Sequence, residues 1–178
     1  MDSINRNQPE DNHEDVSGAT AAQRIQDMSD DAGSCFFCTS EPAGESQGVR
    51  PMSVKKADDQ GRLWFLSASD SHKNREIQAD PKVRILMQGS KHAGFLMLDG
   101  TATISRDPAR IEELWNPILK TWFTEGKDDP RITVICVTPS DGYYWDNKHG
   151  SLVAATKMVI GAAIGKTLDD SIEGQVRL

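Results

Sequence analysis

The 178 residues are enough for one domain with a real core, one that buries roughly 70% of its unfolded surface. With 27 Asp and Glu against 20 Lys and Arg, the chain carries a net charge of -7, which argues against a nucleic-acid partner or membrane-surface binding, since both need a broad basic face. Cys35, Cys38 and Cys136 make an odd count with no disulfide framework, which suits a reducing compartment.

Residues 1–19 hold no apolar run that could serve as a signal-peptide core. They read as a disordered tail on a cytoplasmic protein, with a single domain over 20–178. The longest apolar stretch, Leu152 to Ile164, is interrupted by Lys157 and falls short of the roughly 20 residues that cross a bilayer. No membrane span is expected.

Residues 20–32 place Ala21, Ile25 and Met28 at helical spacing, and Asp30, Asp31 and Gly33 supply a stop. From Cys35 onward short apolar runs alternate with Gly, Pro, Asp and Ser, the pattern of strands and turns. The strands expected are 35–39, 48–56, 62–68, 82–89, 94–105, 131–138 and 142–147. In 82–89, Val83, Ile85 and Met87 fall on one face and Lys82, Arg84 and Gln88 on the other. The C-F-F-C spacing lies within such a strand, which favours buried small hydrophobes over a redox dithiol. No second Cys pair or paired His completes a zinc site, so no metal is expected.

Two helices interrupt the strands. One follows Asp70-Ser71, runs through HKNREIQAD with Ile77 as its apolar anchor, and ends at Pro81. The other starts at Asp107-Pro108 and carries Ile111, Leu114, Trp115, Ile118, Leu119 and Trp122 as one stripe, with a kink expected at Pro117. A last helix, rich in Ala and Gly, is expected over 152–164. The expected fold is mainly β with flanking helices (α+β), an antiparallel sheet closed into a barrel so that no edge is left bare.

Within this acidic chain, R-P-M-S-V-K at 50–55 and L-S-A-S-D-S-H-K at 66–73 gather Arg50, Lys55, His72 and Lys73 among small hydroxyl residues. A phosphate suits such a set: a forked Arg, a Lys, hydroxyls and the free amides of a helix start. The same residues also suit ordinary solvation of a strand edge and a helix. Pattern alone does not separate the two readings.

The segments R-P-M-S-V, W-F-L-S-A-S-D-S-H-K, W-N-P-I-L-K-T-W-F-T-E-G-K-D-D-P and Y-Y-W resemble, in order and spacing, the general-stress-protein branch of the pyridoxamine 5′-phosphate oxidase-like flavoproteins. The resemblance implies an antiparallel split β-barrel that binds flavin mononucleotide (FMN) at the interface of a homodimer, with FAD and a deazaflavin as the alternative flavins. By the same resemblance, Arg50, Lys55, Ser67 and Lys73 match the family's flavin-binding positions, and Met52 and Ser53 lie along the flavin. Backbone groups from Pro51 to Val54 and from Leu66 to Ser67 would tune the ring. His72 stands where the oxidases carry Arg, with Ser69 and Ser71 as compensating donors. Trp122 and Trp145 are candidates either for flavin contact or for core and dimer packing.

The C-terminal G-Q-V-R-L departs from the R-L-x-P segment of the true oxidases, which argues against vitamin B6 oxidation. The function implied is a flavin-dependent oxidoreductase, exchanging electrons with a small-molecule donor and acceptor. The competing reading is a flavin-binding protein for storage or stress response without turnover. No residue presents itself as a catalytic acid or base.

Overall fold

Alternating apolar and polar residues decide the architecture. The computed structural model describes residues 12–40, 48–89, 94–147 and 170–178. In chain order these form β1 (Val16–Ser17), α1 (Gly18–Ala32), β2 (Ser34–Thr39), β3 (Val49–Ser53), β4 (Lys56–Ala57) and β5 (Leu63–Ala68). There follow α2 (His72–Ala79), β6 (Lys82–Gln88), β7 (Phe95–Ser105), α3 (Pro108–Leu114), β8 (Ile132–Asn147) and β9 (Ser171–Arg177). The helix expected over 152–164 lies outside the described residues.

The sheet runs β1-β9-β8-β7-β6-β2-β3, with β5 also on β8 and β4 on β5. Every pairing is antiparallel except that of β1 with β9. β8 is the spine. One of its edges carries β7, and the other carries β5 on its first part and β9 on its last. The ladder does not close as the expected barrel would: β3 pairs with β2 and β4 with β5, so 48–56 is two strands. Between them the Val54 amide donates to the Gly33 carbonyl at 3.1 Å and the Lys55 amide to the Trp64 carbonyl at 2.9 Å.

The main core fills the inner face with Ile25, Phe37, Leu63, Phe65, Ile85, Leu98, Ile135 and Tyr144. α1 covers it with Ala21, Ile25 and Met28 and stops at Gly33, whose φ of 62° is left-handed. A second cluster of Leu66, Ile111, Leu114, Leu119, Phe123, Ile132 and Val134 holds α3 against β5 and β8. β5 is therefore covered on both faces.

Three expectations need correcting. The strands expected at 131–138 and 142–147 are one, because a bulge absorbs the proline: Asp99 pairs with Asp141 but Gly100 with Pro139. Gly100 permits this, since a Cβ there would stand 2.5 Å from the Thr138 carbonyl oxygen. Next, the stripe from Ile111 to Trp122 is broken rather than kinked. Pro117 forces Asn116 into extended backbone (φ -134°, ψ 135°), and a 3-10 turn over Pro117–Thr121 restarts the chain. Ile118 and Trp122 then stand exposed, at 64% and 62%. Finally, part of the expected tail is built into the sheet: Val16 and Ser17 pair with Val176 and Arg177 of β9, a strand the pattern reading did not anticipate.

Candidate functional site

The end of β5 and the start of α2 are pinned by their own hydroxyls. Ser71 caps α2, its Oγ accepting from the Asn74 amide at 3.3 Å. That Oγ lies 3.2 Å from Ser67 Oγ. Asn74 Nδ2 donates to Thr133 Oγ1 at 2.8 Å, and Thr133 Oγ1 donates to the Ser67 carbonyl at 2.9 Å. The Ser69 amide donates to the Arg131 carbonyl at 2.7 Å, which ties the turn to the entry of β8.

α2 is mostly polar, yet it buries Lys73, Asn74, Glu76 and Ile77. Glu76 has no exposed side-chain surface. It accepts from Thr39 Oγ1 at 2.7 Å and from Arg50 Nη1 at 2.5 Å. β3 places Arg50 here because its register sets Arg50 opposite Phe37 on β2, two residues before Thr39. Lys73, one turn before Glu76, is 7% exposed. Among the described residues no carboxylate stands within 4 Å of its amine, since Glu76 is engaged by Arg50. Burial pushes the Lys73 amine down to about 8, the Arg50 charge pushes the same way, and Glu76 opposes both.

Among the described residues the group thus sets the buried Lys73 and the half-buried Arg50 beside one carboxylate, a local surplus of positive charge. Such a surplus is stabilised by an external anion, and the adjoining hydroxyls of Ser67 and Ser71 are suited to the oxygens of one.

Two pairs of the expected residues meet here, Ser67 with Ser71 at the cap of α2 and Lys73 with Arg50 about Glu76; most of the others lie along β3, β5 and the turns that follow them. β3 alternates, so Arg50 and Met52 are half-buried while Pro51 and Ser53 face out, and Met52 packs on the main core. Lys55 sits at the crossing from β3 to β4. Leu66 points into the second core cluster. Ser69 and His72 are exposed.

Trp122 is not core, as its exposure shows. Arg131 Nη2 donates to its carbonyl at 3.1 Å, so it adjoins the Ser69 turn of the same protomer. Trp145 lies on β8, at 43% exposure, stacked on Tyr143 with ring centroids 4.7 Å apart. From β3 it is four strands away along the sheet.

Glu76, Thr39, Asn74 and Thr133 are site residues that the sequence reading missed. The available signal was the i,i+3 spacing of Lys73 and Glu76 beside Ile77, which puts both charges on the buried face of α2.

Two grooves lie elsewhere. The larger, about 530 Å³, is lined by residues including Thr39, Lys82, Arg84, Asp99 and Ser140. Arg84 there is already held by Asp99 through bonds of 2.7 and 2.8 Å. The smaller, about 310 Å³, lies between Arg106, Glu112, Lys127 and Asp128. The larger meets the Arg50–Lys73 group only at Thr39 and the smaller not at all, and the group is the stronger candidate because it holds the buried Lys73 charge.

A branched, mainly antiparallel sheet with a few helices, carrying the Arg50–Glu76 pair and the buried Lys73 where α2 packs on it, places the chain in the class of small, mostly β proteins. The chain belongs to the pyridoxamine 5′-phosphate oxidase-like family, whose model matches residues 20–169. It is 32% identical over 83 residues to General stress protein 26 of Bacillus subtilis, a match covering 44% of this chain and 58% of that one. It is 27% identical over 107 residues to Protein bli-3 of Neurospora crassa, covering 56% and 47% respectively. The chain thus spans about half the length of these relatives.

Among solved structures, a chain described as general stress protein 26 from Jannaschia sp. CCS1 superposes with a TM-score of 0.75 at 22% identity, over 89% of this chain and 98% of that one. The general stress FMN/FAD binding protein of Xanthomonas citri superposes with a TM-score of 0.58 at 21% identity, over 71% and 87%. These likenesses establish the mostly β fold with a few helices. Among the described residues no helix is long and apolar enough to cross a membrane.

Proposed function

We propose that the protein binds FMN, its phosphate held by Lys73, Arg50, Ser67 and Ser71. The observation that carries this reading is Lys73, a residue only 7% exposed whose amine has no carboxylate within ion-pair reach among the described residues. A phosphate monoester supplies the missing charge. The family and the FMN/FAD-binding relative from Xanthomonas citri support the flavin over other phosphate esters. The same reading assigns Lys55, Ser69, His72 and the backbone of Pro51 to Ser53 to the flavin; the exposure of Ser69 and His72 is compatible with that, and Leu66 holds β5 in the second core cluster. When bound, a flavin supplies one- and two-electron chemistry; the protein's own part is to bind, orient and shield.

The same reading includes a homodimer and a split barrel. The uncovered face of the sheet carries Phe36 paired with Leu86, Leu86 with Met97, Met97 with Tyr143, and Phe95 with Trp145. Phe36 and Phe95 are about half exposed. An apolar row of this kind suits a second copy of the chain, which would bring Trp145 toward a flavin it cannot reach within one protomer. The crossing of residues 53–56 from β2 to β5 supports barrel closure.

Electron transfer between a small-molecule donor and acceptor is the activity we assign, and flavin storage in a stress response is the competing role. The test is the visible spectrum and mass of the small molecule that copurifies, followed by anaerobic addition of NADH or NADPH. FMN that bleaches supports the oxidoreductase. A flavin whose colour persists supports storage, and a colourless protein that takes up no FMN refutes both.

A further inference from the structure

We propose that Glu76 is a positioning residue of the anion site, holding the Arg50 guanidinium in place and supplying the negative charge that lets Arg50 and Lys73 share one buried spot. The inference rests on the flavin-phosphate reading and goes beyond it, because Glu76 would never touch the ligand. A guanidinium on a long, flexible stem binds a phosphate well only when its orientation is fixed beforehand. Glu76 fixes it from the protein side through the 2.5 Å bond, and is itself fixed by Thr39 at 2.7 Å.

Complete burial of the carboxylate side chain makes this a committed arrangement and not a surface pair. The charges that act on Lys73 are Arg50 from β3 and Glu76 from its own helix. β2, packed on α2, brings the Thr39 hydroxyl and the Cys35 and Cys38 thiols, both pushed up by burial. β7, also packed on α2, has Asp99 as its one ionisable residue, and Asp99 is taken by Arg84. Among the described residues, Glu76 is therefore the carboxylate that favours the cationic form of Lys73.

The test compares equilibrium binding of FMN and riboflavin, which differ only in the phosphate, to flavin-stripped full-length protein from pH 6 to 10. Wild type should prefer FMN and lose the preference as pH rises through the Lys73 titration. Glu76→Gln keeps the volume and an acceptor oxygen but removes the charge. Its preference should fall by about ten-fold, the scale of one charge-assisted contact, and should be lost at lower pH than in wild type, with riboflavin binding unchanged.

Glu76→Asp guards against a folding defect in the first variant. It keeps the charge but withdraws it by one methylene, so the preference should fall while the pH of its loss stays put. Wild-type preference and wild-type pH dependence in both variants would overturn the inference and leave the phosphate site standing. A wild-type protein that never distinguishes FMN from riboflavin would instead overturn the phosphate site itself.

Discussion

Replacing Lys73 by methionine should make the flavin-free protein more stable and the flavin site worse. In the folded chain the amine sits at about 8 against its ordinary 10.5, burial being the largest cause and the Arg50 charge the second. The unfolded chain therefore holds this proton more tightly than the folded one, so stability rises with pH between about 8 and 10.5. At about 1.4 kcal/mol per pH unit, that interval corresponds to about 3 kcal/mol of destabilisation below pH 8. Methionine keeps the unbranched stem, removes the charge, and leaves Glu76 paired with Arg50.

Stripped Lys73→Met protein should thus gain up to about 3 kcal/mol at pH 7, on the order of 6 to 12 °C in Tm for a chain of this size. The gain should vanish above pH 10.5, where the unfolded wild-type chain has shed the proton as well. FMN should bind about 1.5 to 3 kcal/mol more weakly, while riboflavin binding stays unchanged. Thermal melts at pH 7 and pH 11 and two flavin titrations suffice. A variant that melts below wild type at pH 7, or that binds FMN as wild type does, would refute the reasoning.

Trp122→Ala should leave the unfolding free energy within about 0.5 kcal/mol of wild type because the ring is exposed. It should weaken FMN and riboflavin alike by about 0.5 to 1.5 kcal/mol, the scale of an aromatic contact; weaker dimerisation with unaltered flavin binding would assign the ring to packing instead. Leu86→Asp, in the centre of the exposed apolar row, should shift the proposed dimer toward monomer by about 1.5 to 3 kcal/mol per copy and lower flavin occupancy. Sedimentation at matched concentrations checks this, and a fully flavinated monomer would contradict it. Burial, and after it the Cys38 thiol, push Cys35 up to about 12, so the C-F-F-C pair should resist alkylation at pH 8 in the folded protein; rapid labelling or disulfide formation would revive the redox reading.

Local chemistry made much of the fold legible. β6 shows a clean alternation, Ser71 and Asp107 cap the helices as their types demand, and Gly33 ends α1 where a left-handed residue is needed. The errors have identifiable physical causes. Ile118 and Trp122 continue a helical period by spacing alone, and the extended backbone imposed on Asn116 by Pro117 outweighs that period. Pro139 resembles a strand break until Gly100 on the neighbouring strand gives room for a bulge. β9 was missed because Gly174 interrupts the alternation of Ile172 and Val176. That glycine is required where the backbone of Glu14 crosses, a contact invisible from 160 residues away.

The candidate site was half legible for a different reason. Its cations announce themselves in an acidic chain, because Arg and Lys clustered among serines are conspicuous. Its carboxylate does not, because a glutamate in a short polar helix is ordinarily a surface residue. Only the packing of α2 on β2 shows that Glu76 is buried and that Arg50 spends one arm on it. That partial neutralisation bears on function. With Glu76 absent, the buried Lys73 and the half-buried Arg50 would repel each other in the empty site with no described carboxylate to offset them. Among the described residues, one carboxylate set between two cations steadies both charges in the folded chain without cancelling them, the balance expected of a site that must survive both empty and filled.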